Sequence, residues 1–92
     1  MSSWRAWHIF LADRASTDRF LLEVIRPEIA RLRDLQEIGQ WFYIRYWENG
    51  PHIRLRLNGV DDQKFAQLGD YLRLHAQEYA ARDVSADTRF QQ

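Results

Sequence analysis

WFYIRYWENGPHIRLRL, residues Trp41 to Leu57, decides how this chain is read. Alternating large side chains flank a polar turn, so the stretch predicts two β-strands joined as a hairpin. Three arginines, one histidine, two tryptophans and two tyrosines fall inside it. Pro51 has no N–H with which to close a two-residue loop, so the spacing predicts a four-residue loop, Glu48 to Pro51, closed by Trp47 and His52. In that register Arg45 faces Arg54 and Tyr43 faces Arg56. Phe42, Ile44 and Tyr46 then share the core side with Ile53, Leu55 and Leu57. The other face carries Trp41, Tyr43, Arg45, Trp47, His52, Arg54 and Arg56.

Outward from the hairpin, Trp4 to Ala12 (WRAWHIFLA) predicts a first strand, rich in large groups on both faces and therefore central and covered on both sides. Ser16 or Thr17 is placed to cap a helix whose apolar stripe is Leu21, Leu22, Ile25, Ile29 and Leu32. Pro27 interrupts that stripe, so the helix kinks or restarts there, and Gly39 fits its C-terminal cap. After the hairpin, Asp61 or Asp62 caps a second helix with Phe65, Leu68, Leu72, Ala76 and Tyr79 inward. His75 at the edge of this stripe reads as a partly buried structural histidine. The pattern fades from Asp83 to Gln92, which reads as a tail that orders on contact, with a short strand as the alternative.

These elements predict one domain over residues 1–92, with an ordered core at about 4–82 and a tail at 83–92. The fold class is α+β: a ferredoxin-like β-α-β-β-α plan with an antiparallel or mixed sheet and both helices on one face. A right-handed crossover is expected to set strand 1 parallel to and beside strand 3. One sheet edge and one face stay uncovered, and a second copy of the chain is the expected cover, making a homodimer.

Composition narrows the function classes. The 92 residues are 46% hydrophobic and 14% aromatic, as a globular core requires. Net charge is +0 and the RNP glycine-aromatic pattern is missing, so no nucleic-acid partner is expected. Lys64 is the one lysine among 13 basic residues. Arginine usage that heavy fits bidentate capture of carboxylates and phosphates, a buried interface, or plain codon bias. Without cysteine, and with His8, His52 and His75 lacking ligand spacing, neither a metal nor another cofactor is expected. There is no Gly-rich phosphate loop and no nucleophile elbow around the serines. No apolar run reaches the length of a membrane span, so we expect a soluble, cytoplasmic protein without a membrane partner.

On these residues alone the arginine face has two readings. It is a solvated or dimer-buried face whose arginines pair with carboxylates, or it is a site for an anion or peptide. Arg45 opposite Arg54 is unfavourable by roughly 0.2–1 kcal/mol and calls for a compensating negative charge in either case.

The hairpin resembles a known signature. FYIRYWENGPHIRLRL is similar to the F-F-x-R-Y, acidic-polar turn with proline, H-I/L-R-L-R pattern of the lantibiotic-dehydratase C-terminal domain, also called the thiopeptide-type bacteriocin biosynthesis domain. Arg45, Tyr46, Pro51, His52, Arg54 and Arg56 match it, and Trp4, Trp7, Leu21 and Pro27 resemble its upstream part. The resemblance implies maturation of a ribosomally made precursor peptide at dehydroamino acids, either by eliminating glutamate from glutamylated serine or threonine or by ring closure between dehydroalanines. It implies Arg54 and Arg56 as anion stabilisers, and beside them we expect Arg45 and His52 as second anion contact and proton carrier. Tyr43, Trp47 and Trp41 are the expected substrate contacts.

Domains of that family run to well over twice this length, and a histidine far downstream has no counterpart here. Two expectations follow. The chain is a small lyase or cyclase that rebuilds a site across two copies, or it is a non-catalytic module that binds a precursor peptide or a larger dehydratase or cyclase.

Overall fold

A computed structural model of the chain describes residues 4–48, 50–79 and 81–87. Strand β1 (Arg5–Phe10) leads into helix α1 (Arg14–Phe20). A π-helical turn (Leu21–Ile25) joins α1 to α2 (Arg26–Asp34). Strands β2 (Trp41–Tyr46) and β3 (His52–Leu57) form the hairpin, α3 (Asp62–Ala76) follows, and β4 (Asp83–Asp87) closes the sheet.

The restart at Pro27 is where the sequence predicts it, and the π-helical turn is how it is built. Pro27 cannot donate to the carbonyl one turn back, so the chain widens there and Arg26 N–H reaches Leu21 O. The caps differ from expectation. Asp13, not Ser16 or Thr17, caps α1, its carboxylate accepting from Ser16 N–H at 2.8 Å. Gln36, at φ 59°, takes the left-handed position after α2, where Gln36 N–H donates to Arg33 O and Glu37 N–H to Leu32 O. That pairing ends the helix before Gly39. Asp61 caps α3, as read.

The sheet order is β2-β3-β1-β4 and every neighbouring pair is antiparallel. Two expectations are corrected. β1 lies beside β3 but antiparallel to it, because the crossover through α1 and α2 returns to β2, and the hairpin then reverses direction into β3. Residues 83–87 are strand β4 on the free edge of β1, not tail. Ile9 pairs with Val84, whose side chain is buried, so β4 is held by an apolar contact as well as its ladder. The rest of the expected tail, 88–92, lies outside the described residues.

The core lies between one sheet face and the helices. Trp7, Ile9, Leu11, Ile53, Leu55 and Leu57 meet Phe20, Ile25, Ile29, Leu68 and Leu72. Trp7 is keyed in. Its indole stacks on Phe65 at 4.7 Å and donates to Phe65 O at 3.1 Å, over Gly69, where an added Cβ would come within 2.1 Å of the ring.

The hairpin register is a further correction. His52 pairs with Tyr46, not Trp47, so the loop holds five residues. An odd loop length shifts the pairing by one and turns β2 over relative to β3. Trp41, Tyr43 and Arg45 therefore share the helix-side face with Leu57, Leu55 and Ile53. Phe42, Ile44 and Tyr46 lie beside Arg56, Arg54 and His52. The run WFYIRYW is large and apolar in both phases, so alternation could not choose. β3 is pinned by β1, including Leu11 N–H to Pro51 O at 3.0 Å, and the turn absorbs the extra residue with Gly50 at φ 102°.

Candidate functional site: the open face of the sheet

The sheet face away from the helices is laid out by three registers in rows. Tyr46, His52 and Phe10 line up across β2, β3 and β1. The next row is Ile44, Arg54, His8 and Ser85, and the third is Phe42, Arg56 and Ala6. Each row juxtaposes an apolar edge residue with a cation or imidazole one strand inward.

The side chains in these rows touch. Arg54 Nε donates to His8 Nε2 at 3.1 Å, and its guanidinium carbon lies 4.6 Å from the centre of the Tyr46 ring. The His52 ring stacks on Phe10 at 4.3 Å and on Tyr46 at 5.1 Å, and lies 5.8 Å from His8. Arg56 sits 5.6 Å from the Phe42 ring. A guanidinium over an aromatic ring is worth about 0.5–1 kcal/mol at a partly exposed site, and the ring also fixes its orientation.

These contacts assign protons. Arginine Nε can only donate, so His8 accepts at Nε2 and carries its hydrogen on Nδ1. His52 Nδ1 lies 3.1 Å from Gly50 O, which can only accept, so His52 is protonated at Nδ1 and its Nε2 is the nitrogen able to take a proton. The face thus holds two fixed positive charges beside two oriented imidazoles.

Of the residues singled out in the sequence, Arg54, Arg56 and His52 come together here. Arg45, Tyr43 and Trp41 do not, because the register places them on the helix-side face. Arg45 pairs with Asp18 of α1, which supplies the negative charge expected to offset it, and it is not opposite Arg54. Trp41 packs against the core beside Tyr43. Trp47 lies in the loop with the Arg14 guanidinium 4.4 Å from its ring. His75 sits at the edge of the α3 stripe against Tyr71, at 4.3 Å. In place of Arg45 the face gains His8, Phe10, Tyr46 and Phe42. The signal for His8 was its position in WRAWHIF on the opposite phase from Trp7 and Ile9, which becomes informative only once β1 is set antiparallel to β3.

Among the described residues, no group of three or more His, Cys, Asp or Glu is placed to hold a metal ion, and no helix is long and apolar enough to cross a membrane.

Comparisons with known proteins bear on the fold and the family. The crystal structure of the tRNA-dependent lantibiotic dehydratase MibB from Microbispora sp. 107891 is similar in fold, with a TM-score of 0.71 at 22% sequence identity. The match covers 96% of this chain and 9% of the MibB chain, so the chain spans less than a tenth of that enzyme's length. No curated protein matches the chain. The family described as lantibiotic biosynthesis dehydratase C-term matches residues 4–91. Arg54, Arg56 and His52 sit on a sheet that this match spans almost from end to end, and the chain belongs to the lantibiotic dehydratase C-terminal family.

Proposed function

We propose that the chain takes part in maturing a ribosomally made peptide, acting at dehydroamino acids by elimination or ring closure on the open face of the sheet. The observation that carries this reading is the clustering of Arg54, Arg56, His52 and His8 on one face with aromatic rings between them. In an elimination, a base takes the α-proton, its electron pair forms the Cα=Cβ bond, and the Cβ–O bond breaks to release glutamate as a carboxylate. Both the developing enolate and the departing glutamate are anionic, and guanidinium groups held in place stabilise such charge without reorganising. Nε2 of His52 is the proton-accepting group, while Tyr46, Phe42 and Phe10 supply an apolar floor for the peptide. Arg45 lies outside this set. The strand order, with the helices on one side, supports reading the fold as ferredoxin-like.

Co-expression with the precursor peptide and its glutamylating enzyme, followed by mass spectrometry, tests the proposal. Glutamylated residues should lose the mass of glutamic acid, or dehydroalanines should close into a ring. The doubly substituted Arg54→Ala, Arg56→Ala chain should stop at the intermediate. An unchanged product pattern in that variant would overturn the reading.

A second reading has its own support. The chain matches 9% of the length of the dehydratase it resembles, which supports a role beside a larger maturation enzyme. As a non-catalytic module it would bind precursor peptide or a larger maturation enzyme. Titration calorimetry against leader and core peptides distinguishes the two, since a module binds without any change in peptide mass.

A further inference from the structure

The outer edge of β2 is built differently from a protected sheet edge. Among the described residues no strand lies beyond it. Asn58 N–H donates to Gln40 O at 3.0 Å, which sets the phase of the β2–β3 ladder. Alternate residues of an antiparallel strand turn their backbone groups to opposite sides. Phe42, Ile44 and Tyr46 therefore bond inward to β3, and Trp41, Tyr43 and Arg45 present N–H and C=O groups outward. Solvent-facing edges ordinarily carry lysine, proline, a bulge or an unpaired charge that blocks further pairing. WFYIRY carries none of these, because its single charge is already paired with Asp18. Phe42, Tyr43 and Ile44 are 39%, 39% and 37% exposed on this edge.

We propose that this edge pairs antiparallel with β2 of a second copy of the chain, with Tyr43 on the two-fold axis, merging two four-stranded sheets into one continuous sheet. A two-fold axis normal to the sheet keeps the helices of both copies on the same side. It requires each residue to meet a partner residue of the same face. With Tyr43 opposite itself, Trp41 meets the partner's Arg45 and Arg45 the partner's Trp41, so all three outward-facing residues exchange hydrogen bonds. Shifting the axis to Phe42 or Ile44 leaves one of the three without a partner inside the strand. On the open face the same register sets Phe42 against the partner's Ile44, covering the two exposed apolar groups with each other.

A groove beyond the strand supports the same register independently. It has a volume of about 420 Å³ and is lined by Trp4, Arg33, Gly39, Gln40, Trp41 and Phe42. Gly39 lies four residues before Tyr43 and Trp47 four after it, roughly 14 Å each way at ~3.4 Å per residue. The axis therefore brings the partner's Trp47 to this groove. Trp47 is 43% exposed, and the groove offers it two indoles and a guanidinium. Zero net charge leaves no long-range repulsion to oppose the pairing. An extended peptide is the less suited occupant, because pairing with it would leave the exposed Trp47 uncovered. The inference does not depend on the chemistry proposed for the open face.

The test is sedimentation equilibrium on the full chain from low micromolar to millimolar concentration. A dimer should form whose population rises with concentration. Trp47→Ala, a loop substitution that leaves the core intact, should weaken it by roughly tenfold or more, as truncation of a tryptophan seated in a partner's pocket does. Tyr43→Cys should give a disulfide-linked dimer on oxidation, since directly opposed residues place their Cα atoms about 5.5 Å apart. Leu74→Cys, exposed on α3, should not. A chain that stays monomeric throughout overturns the proposal, as does a dimer indifferent to Trp47→Ala and not trapped by Tyr43→Cys. Fast hydrogen exchange at the amides of Trp41, Tyr43 and Arg45 at every chain concentration, slowed only by added precursor peptide, also overturns it and assigns the edge to the peptide.

Discussion

Arg54 and His8 occupy directly paired positions on β3 and β1, and Arg54 Nε donates to His8 Nε2 across 3.1 Å. A permanently charged group thereby fixes the tautomer of a neighbouring imidazole, while the Tyr46 ring supports the guanidinium from the β2 side. Charge, orientation and an aromatic platform converge from three strands, which is the preorganisation that stabilising an anion on the face requires.

The two faces of the hairpin should separate in a product assay. Arg54→Ala should lower product formation by roughly a hundredfold or more, the scale of losing one preorganised donor to a developing anion. Arg45→Ala should leave product formation near the wild-type level. It should remove only the pairing with Asp18, about 0.2–1 kcal/mol for an exposed ion pair. Mass spectrometry of the precursor peptide reads the first effect, and a double-mutant cycle in urea reads the second.

Denaturant unfolding tests the register. Ile53, fully buried, should cost roughly 2–5 kcal/mol on substitution by alanine. Ile44, 37% exposed on the open face, should cost well under that, within about 1 kcal/mol. Equal losses would mean that β2 faces the core through Phe42, Ile44 and Tyr46.

Gly69→Ala should destabilise the fold by about 1–3 kcal/mol through overpacking against Trp7. The indole cannot retreat easily, being stacked on Phe65 and bonded to its carbonyl. Loss of the near-ultraviolet circular dichroism of a fixed tryptophan should accompany the change.

Stability should carry a pH signature from the Tyr79–Glu23 hydrogen bond, 2.6 Å long. The Tyr79 hydroxyl holds the Glu23 carboxyl below its ordinary range, and the same bond raises the Tyr79 phenol. A lowered carboxyl contributes above its unfolded value and loses that contribution as pH falls through its folded value. A raised phenol contributes below its unfolded value and loses that contribution as pH rises through its folded value. Tyr79→Phe should flatten both the acid and the alkaline limbs of the stability profile, measured by thermal unfolding across pH.

Strands β1 to β3, the helices, and the inward residues of β3 and α3 were legible because each of these elements carries a period of its own; the inward face of β2 and the strand β4 were not. Ile53, Leu55 and Leu57 alternate, and Phe65, Leu68, Leu72 and Ala76 recur by turns of helix. The HIRLR run likewise sets His52, Arg54 and Arg56 on one side of a strand whatever its neighbours do. The break at Pro27 was legible for the same reason, since a missing N–H acts on its own turn. The cap of α1 was misplaced because Asp13, Ser16 and Thr17 all offer oxygens near the helix start, and only backbone geometry selects Asp13.

What lies opposite what was decided by tertiary structure. One extra residue in the 47–51 loop reverses β2, because side chains alternate with a period of two, and WFYIRYW is apolar enough in either phase to permit it. The reversal sends Arg45 to Asp18 and brings Tyr46 to Arg54. Likewise the antiparallel setting of β1 against β3 makes His8 a neighbour of Arg54, 46 positions away in the chain. The sequence by itself determined which residues carry charge and which elements carry them. Only the packing of β3 against β1 and the helices, which fixes register by burying Ile53, Leu55 and Leu57, decided which of those residues share a face.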